Sequence, residues 1–319
     1  MENLVEVQNL KKYFWMGGGP FKKKEALKAL DNVSFFIKKK EILGLVGESG
    51  CGKTTCGKLI LRIIDPTEGS IYFDGQNITH LKQKRMRELR KKMMIIYQDP
   101  YGSLDPRMTI GSTIAEPLEV HKLCSTKEEK ENTIVELMEK VGLTPDQINR
   151  YPHEFSGGQR QRIGIARALV TNPIFLVADE PVSALDVSIQ AQIINLLKNL
   201  QKDFGLTLLF ITHDLSVIKH ISDRIAVMYA GKIVELASTD ELFKNQFHPY
   251  TKTLIAAIPV PNPLKRTKAT KLKGEVPSLI HPPSGCRFHP RCPDCKAVCK
   301  TTEPIMREVH KNHFVACHT

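Results

Sequence analysis

The feature that most restricts how this chain can fold is the short apolar run ILGLV, residues 42–46, which leads directly into GESGCGKTT. The run reads as a buried strand, and the residues from Lys53 onward read as a helix. Gly47, Gly52, Lys53 and Thr54 fall at the full spacing of a phosphate-binding loop, with Ser49, Gly50 and Thr55 in the same cradle. Glycines are needed because the backbone must turn its N–H groups inward around the α- and β-phosphates. Lys53 can then reach the β- and γ-phosphates, and the Thr54 hydroxyl can ligate magnesium. A helix that starts at Lys53 adds its positive N-terminal dipole. An accidental glycine turn is the bland alternative, and the strand before it and the helix after it argue against that.

Further buried strands are expected at residues 93–97, 174–179 and 207–212, with alternating strands at 4–7 and 33–37 and a helix at 187–202. Strand and helix alternate, which indicates a parallel α/β core. Between Leu104 and Leu169 the pattern is helical without an obvious core strand, which predicts a helical subdomain inserted into the sheet domain. Six prolines in residues 259–283 mark an irregular connector, and five cysteines follow between Cys286 and Cys317. The expected fold class is α/β. It has a P-loop NTPase core with a mixed or parallel sheet, an N-terminal antiparallel β part, a helical subdomain at about 104–169 and a small Cys-rich C-terminal extension. The expected division is a nucleotide-binding domain at 1–258 and the extension at 259–319.

At 41% hydrophobic residues the chain can bury a substantial core. Its longest apolar stretches, 174–178 and 206–211, are far shorter than the roughly 18 residues of a membrane span, so it is not expected to cross a bilayer. The N-terminal MENLVEVQNLKKYF lacks the continuous apolar segment of a secretory signal, and the chain is expected to stay in the cytosol. A formal charge of +12 suits nucleic acid, an anionic membrane face or nucleotide phosphates. The basic clusters at 22–24, 38–40 and 82–92 lack interleaved aromatic residues that stack on bases, so no nucleic-acid partner is expected. Eight cysteines suit a disulfide framework by number, but cytosolic thiols stay reduced, and the C-terminal clustering points to metal instead.

The hydrophobic IFLVADE ends in Asp179 and Glu180 at the sheet edge where the phosphate loop also emerges. Asp179 would hold magnesium through its shell, and Glu180 would polarise the attacking water, a task for a carboxylate near the γ-phosphate but off the metal. Alone, such a pair reads as a solvated edge. FSGGQ at residues 155–159, followed by the helical RQRIGIARALV, gives it a partner. Ser156 is a good N-cap, Gly157 and Gly158 leave backbone amides accessible, and the helix start with Gln159 offers a second anion site. With these motifs the chain resembles the ATP-binding cassette family, whose signature pentapeptide usually has leucine where Phe155 stands.

That resemblance covers nearly the whole chain and implies further roles. Tyr13 is similar to the aromatic that stacks on adenine, and Gln98 to the glutamine that senses magnesium and contacts the membrane subunit. Ser183, Ala184, Leu185 and Asp186 resemble the loop that crosses the dimer interface, and His213 resembles the switch histidine at the γ-phosphate. Lys53, Gln98, Glu180 and His213 would then carry the hydrolysis of ATP with Mg2+. Two cassettes would sandwich two nucleotides, each held by the phosphate loop of one chain and the signature of the other.

QDPYGSLDPRMTIGSTIAEPL from Gln98, HPYTKTLIAAIP from His248 and GCRFHPRC from Gly285 resemble the oligopeptide and dipeptide importers, whose relatives include nickel importers. This implies a second ATPase subunit, a paralogue or in isolation a copy of the same chain. It also implies two transmembrane permease subunits, an extracytoplasmic solute-binding protein and a peripheral position on the cytoplasmic face. Peptide is the expected cargo, with nickel or another solute as the alternative. A soluble cassette acting on nucleic acid or ribosomes is the rival, but such proteins usually carry long coiled-coil insertions or two cassettes, and neither is visible here.

In the same subfamily the C-terminal extension holds a 4Fe-4S cluster on four cysteines, and Cys286, Cys292, Cys299 and Cys317 stand at similar spacing. Cys295 makes a Cys-x-x-Cys pair with Cys292. That leaves open a zinc ion on Cys292, Cys295, Cys299 and one more ligand, with His289 and His318 as competitors, or unligated thiols. The expected role is to fix a tail too small for its own core, rather than redox sensing. Cys51 and Cys56 lie within and just beyond the phosphate loop, where oxidation could impair ATP binding.

Overall fold

The computed structural model describes residues 2–17, 24–99, 101–258, 274–275 and 277–318. Most of the expected Pro-rich connector, Lys22 and Lys23 of the first basic cluster, and Pro100 lie outside the described residues. In chain order the first elements are β1 (Asn3–Met16), β2 (Glu25–Lys38), β3 (Ile42–Val46), α1 (Lys53–Ile60), β4 (Glu68–Phe73) and β5 (Gln76–Asn77). Next come α2 (Gln83–Leu89), β6 (Met93–Ile96), α3 (Ile110–His121), α4 (Lys127–Lys140), α5 (Gly157–Leu169), β7 (Phe175–Asp179), α6 (Val187–Asp203) and β8 (Thr207–Thr212). The remainder are α7 (Leu215–Ile221), β9 (Arg224–Tyr229), β10 (Lys232–Ser238), α8 (Thr239–Lys244), α9 (Pro249–Ala256), α10 (Ala297–Thr301), β11 (Arg307–His310) and β12 (His313–Val315).

These elements fall into two units. The first comprises Met1–Glu2, Lys38–Glu41 and His80–Ile211. Its strands β6, β7 and β8 are parallel, with Met93 opposite Phe175 and Phe175 opposite Thr207. β7 and β8 are buried at every position, which explains why they read as unbroken apolar runs rather than as an alternation. The helices α3, α4 and α5 form the expected helical insert and contribute Ile110, Ile114, Leu137, Met138, Ile163 and Ala166 to a shared apolar interior. Thr109 and Thr126 start α3 and α4 by accepting the N–H groups of Ser112 and Glu129.

The second unit comprises Asn3–Ile37, Ile42–Thr79 and Thr212–Thr319. It contains the antiparallel N-terminal sheet, in the order β2-β1-β4-β5, and a mixed set of strands in the order β11-β12-β10-β9-β3. β3 runs parallel to β9, with Val46 opposite Val227, whereas β10 and β12 pair antiparallel. The fold class is therefore the expected mixed α/β one, with strands β4, β5, β9, β10, β11 and β12 added to those anticipated. The tail is built into it, because β12 joins β10 by setting Val315 against Glu235 and Phe314 against Leu236.

A buried polar cluster fastens this junction. His313 and Glu235 are both 0% exposed, with His313 Nε2 at 2.8 Å from Glu235 Oε1. The Glu235 carboxylate also accepts the backbone N–H groups of Phe247 at 2.8 Å and His248 at 3.1 Å. A carboxylate withdrawn from water requires that many donors. Glu235→Ala leaves these donors buried without an acceptor. It is expected to cost about 3 kcal/mol, read as a fall of several degrees in Tm by scanning calorimetry. An unchanged Tm would show that the cluster contributes nothing to stability.

Candidate functional site

The phosphate loop is shaped by close approach of backbone. A Cβ at Gly47 would stand 2.1 Å from the Met228 carbonyl oxygen, and one at Gly52 would stand 2.4 Å from that of Ala29. Gly52 also has φ of 108°, in the left-handed region that favours glycine. Lys53 is buried, and its Nζ donates to the carbonyls of Gly47 at 2.8 Å and Glu48 at 3.1 Å. Ser49 and Gly50 are exposed at the loop tip, while Thr54 and Thr55 lie half-buried in the first turn of α1. That first turn carries no acidic residue, so the positive end of the helix is not neutralised.

Tyr13, in the same unit, donates its hydroxyl to Asp31 Oδ1 at 2.7 Å. Burial and this bond hold its pKa above that of an ordinary tyrosine. Burial opposes ionisation of Asp31, but the Tyr13 hydroxyl and the Lys232 and Arg287 charges outweigh it and keep the carboxyl below its usual range.

In the other unit, Asp179 closes β7 and is 5% exposed. The next residue, Glu180, has φ of +47°, a conformation costing a non-glycine residue roughly 1 kcal/mol or more. Its N–H donates to the Ile211 carbonyl at 3.0 Å, and Gln98 Nε2 donates to its Oε2 at 3.1 Å. Two residues 82 positions apart are thus brought together as one polar pair.

The signature segment is equally defined. Ser156 Oγ accepts the Gln159 N–H at 3.3 Å, and Gln159 Oε1 accepts the Ser156 N–H at 3.0 Å, a reciprocal cap on α5. Phe155 is buried beneath it, and Arg160 Nε donates to the Phe155 and Pro152 carbonyls. A Cβ at Gly158 would lie 2.6 Å from Ile189 Cγ2, and one at Gly157 would lie 3.4 Å from Leu185 Cδ2. Gly158 is therefore required by Ile189 in the first turn of α6, whose N-cap Asp186 is exposed. His213 belongs to the unit of the phosphate loop, exposed between β8 and Asp214, which caps α7 by accepting the Ser216 N–H at 2.8 Å.

The cysteine tail is less assembled than the resemblance implied. Among the described residues no three His, Cys, Asp or Glu side chains stand close enough to hold a metal ion. Neither the zinc set nor the set of Cys286, Cys292, Cys299 and Cys317 forms a closed ligand shell. Burial pushes the Cys292 thiol up to about 11 and raises that of Cys286. Proximity to the Cys317 and Cys299 thiols adds to the rise at Cys286, and proximity to those of Cys286 and Cys317 adds to the rise at Cys292, so these four share a neighbourhood. Cys295 instead faces the Lys296 carbonyl at 3.6 Å. The competing histidines are engaged elsewhere, His289 Nδ1 with the Cys286 carbonyl at 3.0 Å and His318 Nε2 with the Thr302 carbonyl at 2.9 Å.

The motifs did not single out Glu48, Asp31, Tyr250, Arg287 or Arg291, which surround the phosphate loop and Tyr13. GESGCGKTT and GCRFHPRC contain three of them, but no local pattern says that an arginine 243 positions away meets Glu48.

Two family models match the chain, one for the ABC transporter over residues 30–183 and one for the C-terminal region of the oligopeptide/dipeptide transporter over residues 234–299. The chain is 52% identical over 321 residues to the oligopeptide transport ATP-binding protein AppF of Bacillus subtilis, covering 99% of this chain and 97% of that one. It is also 52% identical over 314 residues to a putative peptide import ATP-binding protein of Brucella ovis, covering 98% and 97%. Among solved structures, a dimeric post-hydrolysis state of the ATP-binding cassette MJ0796 with ADP and Pi is similar at a TM-score of 0.66 and 31% identity, over 74% of this chain and 98% of that one. CbiO1 of Clostridium perfringens, part of an ABC transporter complex, is similar at a TM-score of 0.66 and 25% identity, over 77% and 92%. The chain therefore belongs to the ABC transporter family, among its ATPase subunits of the oligopeptide/dipeptide type. No helix among its described residues is long and apolar enough to cross a membrane.

The thiols at the phosphate loop are predicted to be inert. Burial pushes Cys51 up to about 11 and Cys56 up to about 12. A raised pKa keeps the thiol protonated, so at pH 8 the reactive thiolate is about 1 part in 10³ at Cys51 and 1 in 10⁴ at Cys56. Iodoacetamide should leave both unlabelled by mass spectrometry in native protein at pH 8. Labelling at the rate of a free cysteine would overturn this.

Proposed function

We propose that this chain drives the import of di- and oligopeptides by hydrolysing ATP as one of two cassettes beneath two membrane permease subunits. The complex would be fed by an extracytoplasmic solute-binding protein, with the chain peripheral on the cytoplasmic face. Similarity over 99% of the chain to an oligopeptide transport ATP-binding protein supports the cargo class.

The observation that carries the mechanism is the Gln98–Glu180 pair, a carboxylate fixed by strained backbone and by an amide at 3.1 Å. In this reading Gly47, Ser49, Gly50, Gly52, Lys53, Thr54 and Thr55 cradle the phosphates through backbone N–H groups and the lysine charge. Tyr13, held by Asp31, stacks on adenine. The Thr54 hydroxyl, Gln98 and Asp179 are oxygen donors that suit magnesium, which offsets the charge gathering on the β- and γ-phosphates. Glu180 orients and polarises water, and His213 contacts the γ-phosphate. Ser156, Gly157, Gly158 and Gln159 of the opposing cassette close the site, with Asp186 at the interface.

The reading extends to the tail, where Cys286, Cys292, Cys299 and Cys317 would hold a 4Fe-4S cluster. The shared neighbourhood of these four thiols supports it. Anaerobically purified protein should then be coloured and contain about four irons and four sulfides per chain, all lost in Cys299→Ser. Colourless protein with no iron would remove this part and leave the ATPase reading intact.

Glu180→Gln is expected to keep ATP binding and slow hydrolysis by about 10²–10⁴-fold, and undiminished turnover would sink the assignment. Ser156→Arg should abolish hydrolysis while a single chain still binds ATP. Normal ATPase activity in that variant would refute a site shared between chains.

A further inference from the structure

The cysteine tail lies in the same unit as the phosphate loop, and three side chains of its segment 286–292, CRFHPRC, are built into the loop's surroundings. Arg291 forks onto Glu48, the residue after Gly47, with Nη1 donating to Oε2 at 2.8 Å and Nη2 to Oε1 at 3.2 Å. The Arg291 side chain is 8% exposed and that of Glu48 23%. Nη1 also reaches the Tyr229 hydroxyl at 3.3 Å. The backbone of Glu48 is held from another side, where its N–H donates to the Tyr250 hydroxyl at 3.0 Å. Phe288 of the tail packs on both tyrosines, with ring centroids 5.1 Å from Tyr229 and 5.4 Å from Tyr250.

Arg287 reaches the opposite side of the site. It donates to the Ala230 carbonyl and pairs with Asp31, the acceptor of the Tyr13 hydroxyl. Asp31 N–H in turn donates to the Gly231 carbonyl at 3.0 Å, and Gly231 N–H donates to the Cys51 carbonyl, inside the phosphate loop, at 2.8 Å.

These contacts have an electrostatic consequence. Glu48 places a negative charge at the entrance to a loop that must bind a more negative polyphosphate, and its carbonyl is one of the two that receive Lys53. A two-point guanidinium–carboxylate pair fixes that residue in direction as well as distance and neutralises its charge. Without Arg291 the carboxylate is left partly buried and unpaired beside the phosphates, where low dielectric strengthens repulsion.

We propose that Arg291 is a positioning residue for ATP, and that the tail segment CRFHPRC sets nucleotide affinity through Arg291–Glu48 and Arg287–Asp31. Cys286 and Cys292 bracket the segment, so whatever joins these sulfurs to Cys299 and Cys317 also holds the two arginines. The proposal rests on the reading of residues 47–55 as the ATP loop.

The test is equilibrium binding of a fluorescent ATP analogue with magnesium to the full chain, together with KM and kcat for ATP in the assembled transporter. Arg291→Ala is expected to raise Kd and KM about tenfold, or about 1.4 kcal/mol, with kcat within about twofold of the parent. Arg291→Lys, which keeps the charge but loses the fork, should fall between. Adding Glu48→Gln to Arg291→Ala should recover most of the lost affinity, because no unpaired carboxylate remains. Parent-like affinity in Arg291→Ala overturns the proposal, as does a loss that Glu48→Gln does not relieve, which marks simple unfolding. Lys53→Ala separates the two levels. If it abolishes binding while Arg291→Ala is silent, the clamp alone fails; if it binds like the parent, the loop assignment fails and the clamp with it.

Discussion

Two backbone carbonyls, those of Met228 and Ala29, press on the phosphate loop so closely that neither Gly47 nor Gly52 has room for a Cβ. Met228 belongs to β9 and Ala29 to β2, so the loop is set by the sheets on either side of it rather than by its own side chains. The parallel register of β3 and β9, with Val46 opposite Val227, delivers the chain to that position. A loop set in this way is in place before any ligand arrives, so the anion cradle proposed for it would need little reorganisation energy when charge enters it.

The other unit fixes its functional groups by a related device, with side chains as well as backbone. Glu180 sits in a left-handed conformation that its surroundings must enforce: the Ile211 carbonyl accepts its N–H, and the Ser183 hydroxyl donates to its carbonyl at 3.1 Å. Gly158 leaves the space that Ile189 fills, so the cap of α5 and the start of α6 are interlocked. In both units glycine serves a contact with a neighbour, and the open N–H groups are a by-product of that packing.

Features coded within a few residues were legible in the sequence. The strand before the phosphate loop, the helix from Lys53, the Ser156 cap and the continuous strand Thr207–Thr212 follow from local pattern and appear as read. β9 escaped because RIAVMY is a short apolar run that periodicity alone cannot separate from a buried helix. β1 was read as a strand only over its first residues, since its distal half is largely exposed and loses the alternation. Glu48 and Arg291, or Asp31 and Arg287, are 243 and 256 positions apart, and composition offers no means of pairing them. Spacing singled out four cysteines of the tail. It could not say how closely the sulfurs approach, because irregular segments joined by turns set that distance.

Among its described residues the tail buries the apolar side chains of Phe288, Cys299, Val315 and Ala316, too few for a core of its own. It is held by borrowed interactions: β12 on β10, His313 on Glu235, Arg287 on Asp31 and Arg291 on Glu48. Two of these four anchors end on Glu48 in the proposed nucleotide site, or on Asp31, one hydrogen bond from Tyr13. Order in the tail and order in the loop are then linked quantities, and linkage is reciprocal. Any ligand of the loop that fixes Glu48 must also favour the docked Arg291, and any constraint on Cys286 and Cys292 that keeps Arg291 in place must favour the nucleotide-ready loop.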